Sequence, residues 1–168
     1  MNHIGVATEA LASHEGLLTL ACYRWSHSVV LPVGHPLLAV PQSLTLADLA
    51  AHPIITYDLG FTGRSHIDDA FLRAGIQPDI VLTAMDADVI KTYVELGMGV
   101  GIIAAIAFDS DRDRQLRMLD ARHLFELNTT RLGLRRGAWL RGYTYDFIEI
   151  FAPTLTRAVV EQAVRGEG

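Results

Sequence analysis

Cysteine is almost missing from this chain. Cys22 stands alone, so no disulfide can form within one molecule, and a reducing compartment is the natural setting. Long apolar runs are missing too: although half of the residues are hydrophobic, no stretch reaches the ~18 consecutive apolar residues that a membrane-spanning helix needs. The opening residues, Met1-Asn2-His3-Ile4-Gly5-Val6, lack the cationic region and apolar stretch of an export signal. Positive charge is scarce, with 14 Lys+Arg against 19 Asp+Glu and a formal net charge of −5. Affinity for nucleic acid comes mainly from neutralising phosphates, so this balance argues against a stand-alone DNA binder. What is present, 168 residues with a mean hydropathy of +0.25, describes a cytoplasmic globular chain of one domain or two small lobes.

Catalytic and metal-binding signatures are absent in the same way. No Gly-x-Ser-x-Gly elbow occurs, and no spacing fixes a histidine beside Cys22. The seven histidines, at 3, 14, 27, 35, 52, 66 and 123, never pair at zinc-ligand spacing, so surface or hydrogen-bonding roles are expected of them. Asp109-Ser110-Asp111-Arg112-Asp113 begins like a calcium loop. Arg114 then stands where the sharp turn needs glycine, and Asp120 where a bidentate glutamate belongs, so a solvated loop is expected. The residues give no case for an enzyme and none for a metal.

Alternating strand and helix patterns fill most of the chain. Strands are read at Ile4–Ala7, Ser28–Leu31, Ile54–Tyr57, Ile80–Thr83, Val100–Ala104, Leu116–Leu119 and Thr130–Leu134. Between them, Ser43–Ala50 reads as a short helix. Ile67, Ala70, Phe71 and Ala74 share one face of a second helix, for which Thr62 or Ser65 offers a cap and Gly75 a left-handed end. Asp86 caps a third helix, whose Val89, Ile90, Tyr93 and Val94 share a face, and helices around Pro153 close the chain. This rhythm predicts an α/β fold with a parallel-type sheet.

Gly60-Phe61-Thr62-Gly63-Arg64-Ser65 is the most suggestive local feature, because it follows a strand and opens a helix. Helix-start N–H groups, the helix dipole and the two hydroxyls together suit an anion or carboxylate. A plain helix cap explains the same residues. Thr8, directly after the first strand, faces the same choice between a crevice position and a cap. Arg131, Arg135, Arg136 and Arg141, interleaved with Trp139, Tyr143 and Tyr145, suggest single-stranded nucleic acid. Exposed arginines over core aromatics explain them more simply, and a subunit-contact surface is the second choice.

Longer strings add a resemblance. Ala7-Thr8-Glu9-Ala10-Leu11, Cys22-Tyr23-Arg24-Trp25, His35-Pro36-Leu37 and Ile55 through Ser65 are similar to the CysB group of LysR-type transcriptional regulators. So are the run from Asp86 to Ala104, the Thr129-Thr130 and Arg135-Arg136 pairs, and Tyr145-Asp146-Phe147-Ile148 before Phe151-Ala152-Pro153. The resemblance implies two Rossmann-like lobes of the periplasmic-binding-protein type. Lobe II would span residues 23–128, and an incomplete lobe I would be built from 1–22 and 129–168, with the DNA-binding helix-turn-helix outside this chain.

It further implies an effector sensor for sulfur-assimilation and cysteine-biosynthesis genes that carries no cofactor. The effectors would be N-acetylserine or O-acetylserine, sulfate or thiosulfate, held between the lobes. Thr8 and Thr62 match the family's anion-contacting threonines, and Trp25 a position tied to inducer response. The N–H groups of Gly63 and Arg64, with Ser65, are added from helix-start chemistry. An incomplete lobe I would expose a sheet edge and favour a homodimer or larger assembly, and it would weaken effector binding. A solute-binding protein of a transport system shares the two-lobe fold, but it needs an export signal.

Overall fold

A computed structural model describes residues 4–8, 16–39, 43–61, 63–137 and 139–166. The chain divides into two compact units, one made of residues 1–24 and 128–168, the other of 25–127.

The second unit is built on a five-stranded sheet. Its strands are β3 (His27–Pro32), β4 (Ile54–Tyr57), β5 (Ile80–Ala84), β6 (Val100–Ala104) and β7 (Leu116–Asp120), in the order β5-β4-β6-β3-β7. Strand β4 pairs in parallel with β5 and with β6. Strand β3 runs antiparallel to β6 and β7, so the parallel-type sheet expected from the sequence is a mixed one. The reason is that β3 enters the sheet from the preceding unit, not through a helical crossover.

Alternation along β3 sorts its side chains between two helical layers. Val29 and Leu31 join Ile67 and Phe71 of helix α2 (Arg64–Ala74) and Leu49 of α1 (Leu46–Ala50). Val30 faces the other way, with Ile90 and Val94 of helix α3 (Ala87–Glu95). Local chemistry sets the helix ends. Thr45 and Asp48 form a reciprocal capping box that starts α1 three residues later than read. Asp86 accepts the Val89 N–H at 3.0 Å to start α3. Helix α2 ends on left-handed Gly75, whose N–H reaches Leu72 O while Ile76 N–H reaches Phe71 O. Of the face proposed for α3, Ile90 and Val94 are buried and Val89 is exposed.

Lys91, the only lysine in the sequence, pins α3 to the loop after β6. Its ammonium lies 3.0 Å from Asp113 and 3.0 Å from Asp88, and donates to Ala107 O at 2.9 Å. Burial would depress its pKa, but the two carboxylates hold it above the ordinary lysine value. Asp113 also accepts the Asp109 N–H. The stretch expected to be a solvated loop therefore carries one buried aspartate as an anchor.

The first unit contains a three-stranded sheet in the order β1-β8-β2, from β1 (Ile4–Ala7), β2 (Leu17–Trp25) and β8 (Asn128–Arg135). Strand β2 was not read from the sequence. Helices α4 (Gly142–Phe151) and α5 (Arg157–Arg165) contribute Ile148 and Val160 to a core with Leu132 and Leu134. Trp139 and Tyr143 are 81% and 67% exposed, which corrects the placing of these aromatics in the core. Buried Leu140, Thr144 and Ile148 set the inward face of this segment, and Tyr143 lies off it. Tyr145 is half-buried beneath the Arg157 guanidinium, 4.7 Å from the ring centroid. Among the described residues, no helix is long and apolar enough to cross a membrane.

Two glycines admit the close packing of the second unit. A Cβ on Gly101 would lie 2.6 Å from Val30 and 2.9 Å from Val94, and one on Gly99 would lie 2.5 Å from Pro53 O. A backbone carbonyl in a parallel sheet cannot swing aside as a side chain can. Gly99→Ala is expected to cost about 1–3 kcal/mol through overpacking. Gly142→Ala, at an open helix start, is expected to be neutral or stabilising by up to about 1 kcal/mol. Urea unfolding of the two variants against the parent checks the contrast.

Candidate functional site

The carboxyl ends of the parallel strands β4 and β6 frame the feature singled out in the sequence. Their registered pairing covers Ile54 with Val100 and Ile55 with Gly101. Beyond it, side chains hold the strands together: the Thr56 hydroxyl donates to Ile102 O at 3.0 Å, and Ala104 N–H donates to the Tyr57 phenol at 3.0 Å. Both residues are buried, and burial, partly offset by the Ala104 bond, pushes the Tyr57 phenol up to about 12, so it stays protonated. A ligand crevice in an open α/β sheet lies at such diverging carboxyl ends. Neither Thr56 nor Tyr57 was assigned a role from the sequence, since a polar residue in a short apolar strand gives no sign of which carbonyl it will meet.

The chain then turns from β4 into α2. Asp58 N–H donates to Ala84 O, Phe61 N–H to Asp58 O, and Arg64 N–H to Phe61 O at 2.9 Å. Gly60 and Gly63 sit at φ 84° and 67°, in the left-handed region that only glycine enters without strain. Gly63 is the N-cap of α2 and carries no side-chain cap. Ser65 is already inside the helix and exposed, which corrects its reading as a cap. Thr62, the other cap and anion-site residue, lies outside the described residues.

Arg64 occupies an unexpected position. Its guanidinium is turned inward, with Nη1 donating to Tyr57 O at 2.5 Å and Nε to Asp68 at 2.8 Å; the side chain is 9% exposed. Its backbone N–H is engaged by Phe61 O. Arg64 thus ties the first turn of α2 to the end of β4, and the N–H expected to meet an anion is held within the turn. The positive end of the α2 dipole remains at this entry turn.

The other sequence candidates fall elsewhere in the chain. Thr8 is half-buried in the bend after β1, in the first unit. Trp25 is the first residue of the second unit, 7% exposed, with its ring 5.1 Å from that of His27. His27 is itself fully buried, so of the surface or hydrogen-bonding roles expected of the histidines the surface one does not apply to it; its odd position on β3 turns it into the α2 layer. Among the described residues, no group of three or more His, Cys, Asp or Glu side chains is placed to hold a metal.

Comparison with known proteins adds what this geometry alone does not specify. Residues 3–156 match the model of the LysR substrate binding domain. The chain is 57% identical over 162 residues to the HTH-type transcriptional regulator SsuR of Burkholderia cenocepacia, covering 96% of this chain and 52% of the relative. It is 52% identical over 164 residues to CysB of the same organism, covering 98% and 52%. Among solved structures it resembles the cofactor-binding domain of the Cbl transcriptional regulator, with a TM-score of 0.89 and 45% identity over 96% of this chain and 70% of that one. The chain spans about half the length of these curated relatives. Both are HTH-type transcriptional regulators.

Removal of the Arg64 guanidinium leaves Tyr57 O and Asp68 without these partners. Arg64→Met is expected to lower stability by about 2–3 kcal/mol, the scale of a charge-assisted bond at a buried site. Arg64→Lys should recover only part of this, because an ammonium is not the planar fork that meets two acceptors at once. Denaturant midpoints of the two variants check the ranking.

Proposed function

The chain belongs to the LysR substrate-binding domain family, and on that premise we propose that it is the effector sensor of a sulfur-responsive transcriptional regulator, taking a small anion at the entry turn of α2. The observation that carries this reading is the turn itself, where two left-handed glycines and a helix start follow the carboxyl end of a parallel strand. Acetylated serine, sulfate and thiosulfate share the anionic oxygens that such a turn accepts. The sulfur assignment rests on similarity to CysB-type regulators. In this reading residues 1–22 and 129–168 form one lobe and 23–128 the other. Thr8 and Thr62 supply hydroxyls, and Gly63 with Ser65 the helix-start donors. Arg64 fixes the turn from below, and no cofactor is used. DNA is bound through a helix-turn-helix that is not part of this sequence.

A second element of the proposal is self-association. Among the described residues, β1 has β8 as its one strand neighbour, and its Val6 is 46% exposed. The strand Ile4-Gly5-Val6-Ala7 contains none of the charges or prolines that usually protect an edge. A second copy covering this edge gives a dimer or larger assembly.

Calorimetric titration with N-acetylserine and with sulfate is expected to show weak, saturable binding. Thr62→Val and Thr8→Val should each reduce the affinity about tenfold or more, as expected for lost bonds to a charged ligand. Unchanged affinity in both variants contradicts the assigned site. Light scattering coupled to size-exclusion chromatography at micromolar concentration is expected to give a dimer or larger species, and a clean monomer rules out the edge contact.

A further inference from the structure

Four rings form an unbroken file through one layer of the second unit. Trp25 meets His27 edge-on at 5.1 Å and 72°, His27 meets Phe125 at 5.7 Å and 78°, and Phe125 meets Phe71 of α2 at 6.5 Å and 52°. Their exposures are 7%, 0%, 4% and 1%. Side-chain alternation explains how the file arises: Trp25 and His27 are two residues apart at the β2–β3 passage, in phase with Val29 and Leu31, which face the α2 layer. Helix α3 packs on the opposite side of the sheet, with Val30, Ile90 and Val94.

We propose that this file is a mechanical relay. It sets the position of α2 and its entry turn according to the packing of Trp25, with His27 and Phe125 as positioning residues. Rings packed at crystal-like density do not absorb the displacement of a neighbour; they pass it on or repack as a group. The Trp25 end lies where the chain enters the second unit, and the Phe71 end lies in the helix whose first turn carries Gly63 and Arg64. Movement at one end is therefore felt at the other along one face of the sheet, while α3 on the other face is spared. The value of the relay for effector response rests on the function proposed above; the relay itself does not.

Hydrogen–deuterium exchange of the full 168-residue chain, without ligand, tests it. Trp25→Ala is expected to speed exchange of the α2 amides at 66–71 about tenfold, the scale of a lost aromatic pair, and to change the α3 amides at 88–94 less than twofold. Phe125→Leu should have the same selective effect, and adding Trp25→Ala to it should bring little more, because contacting members of one path are not additive. His27→Val, which removes the ring between Trp25 and Phe125, should have the same selective effect. Equal acceleration in α2 and α3, or fully additive effects, overturns the relay. If Trp25→Ala unfolds the chain, Trp25→Leu is used with the same criteria. Failure of N-acetylserine or sulfate to bind the parent counts against the proposed function alone and leaves these outcomes unaffected.

Discussion

The entry turn of α2 depends on one buried guanidinium. Arg64 reaches back beneath the first turn of its own helix to the carbonyl of Tyr57 and forward one turn to Asp68. Two left-handed glycines alone would leave the segment between β4 and α2 with many conformations to choose from. The Arg64 clamp and the Phe61 carbonyl select one. The residue whose backbone N–H was expected to meet an anion instead builds, with its side chain, the platform of the turn.

The platform needs a rigid sheet beneath it, and that rigidity comes from close approach. Gly99 and Gly101 let Pro53, Val30 and Val94 come within distances that no other side chain permits. On the far side, Lys91 and Asp113 bury opposite charges together: against the opposing effect of burial, Asp113 and Asp88 raise the pKa of Lys91, and the Asp109 N–H and Lys91 lower that of Asp113. Losing one member would leave the other uncompensated, so this ion pair fixes the placement of α3 more than it adds net stability.

Much of this architecture was legible in the sequence. The β4–α2–β5–α3–β6 run was read correctly because its apolar spacing, its Asp86 cap and its Gly75 stop all agree. Strand β2 escaped notice although left-handed Gly16 marks its start, because Leu17–Trp25 has partly buried residues on both faces and so no clean alternation. The mixed sheet was missed because strand direction is set by the path between units, which local pattern does not encode. Within the site, the glycines and the helix start announced themselves. The inward turn of Arg64 and the bridging roles of Thr56 and Tyr57 did not, since each depends on a carbonyl brought close only by the tertiary fold. Trp139 and Tyr143 show the reverse error, in which aromatic character was taken as burial although Trp139 precedes α4 and Tyr143 lies on its outer face, both exposed.

The chain belongs to the LysR substrate-binding domain family, and the function proposed for it is located at the entry turn of α2. The most direct test is a two-dimensional amide spectrum of the isotope-labelled chain titrated with N-acetylserine and, separately, with sulfate. The account predicts saturable shifts at the amides of Gly60, Gly63 and Ser65, while Asp109 to Arg114 stays unmoved. Saturable shifts confined to other regions, with Gly60 and Gly63 unchanged, contradict it.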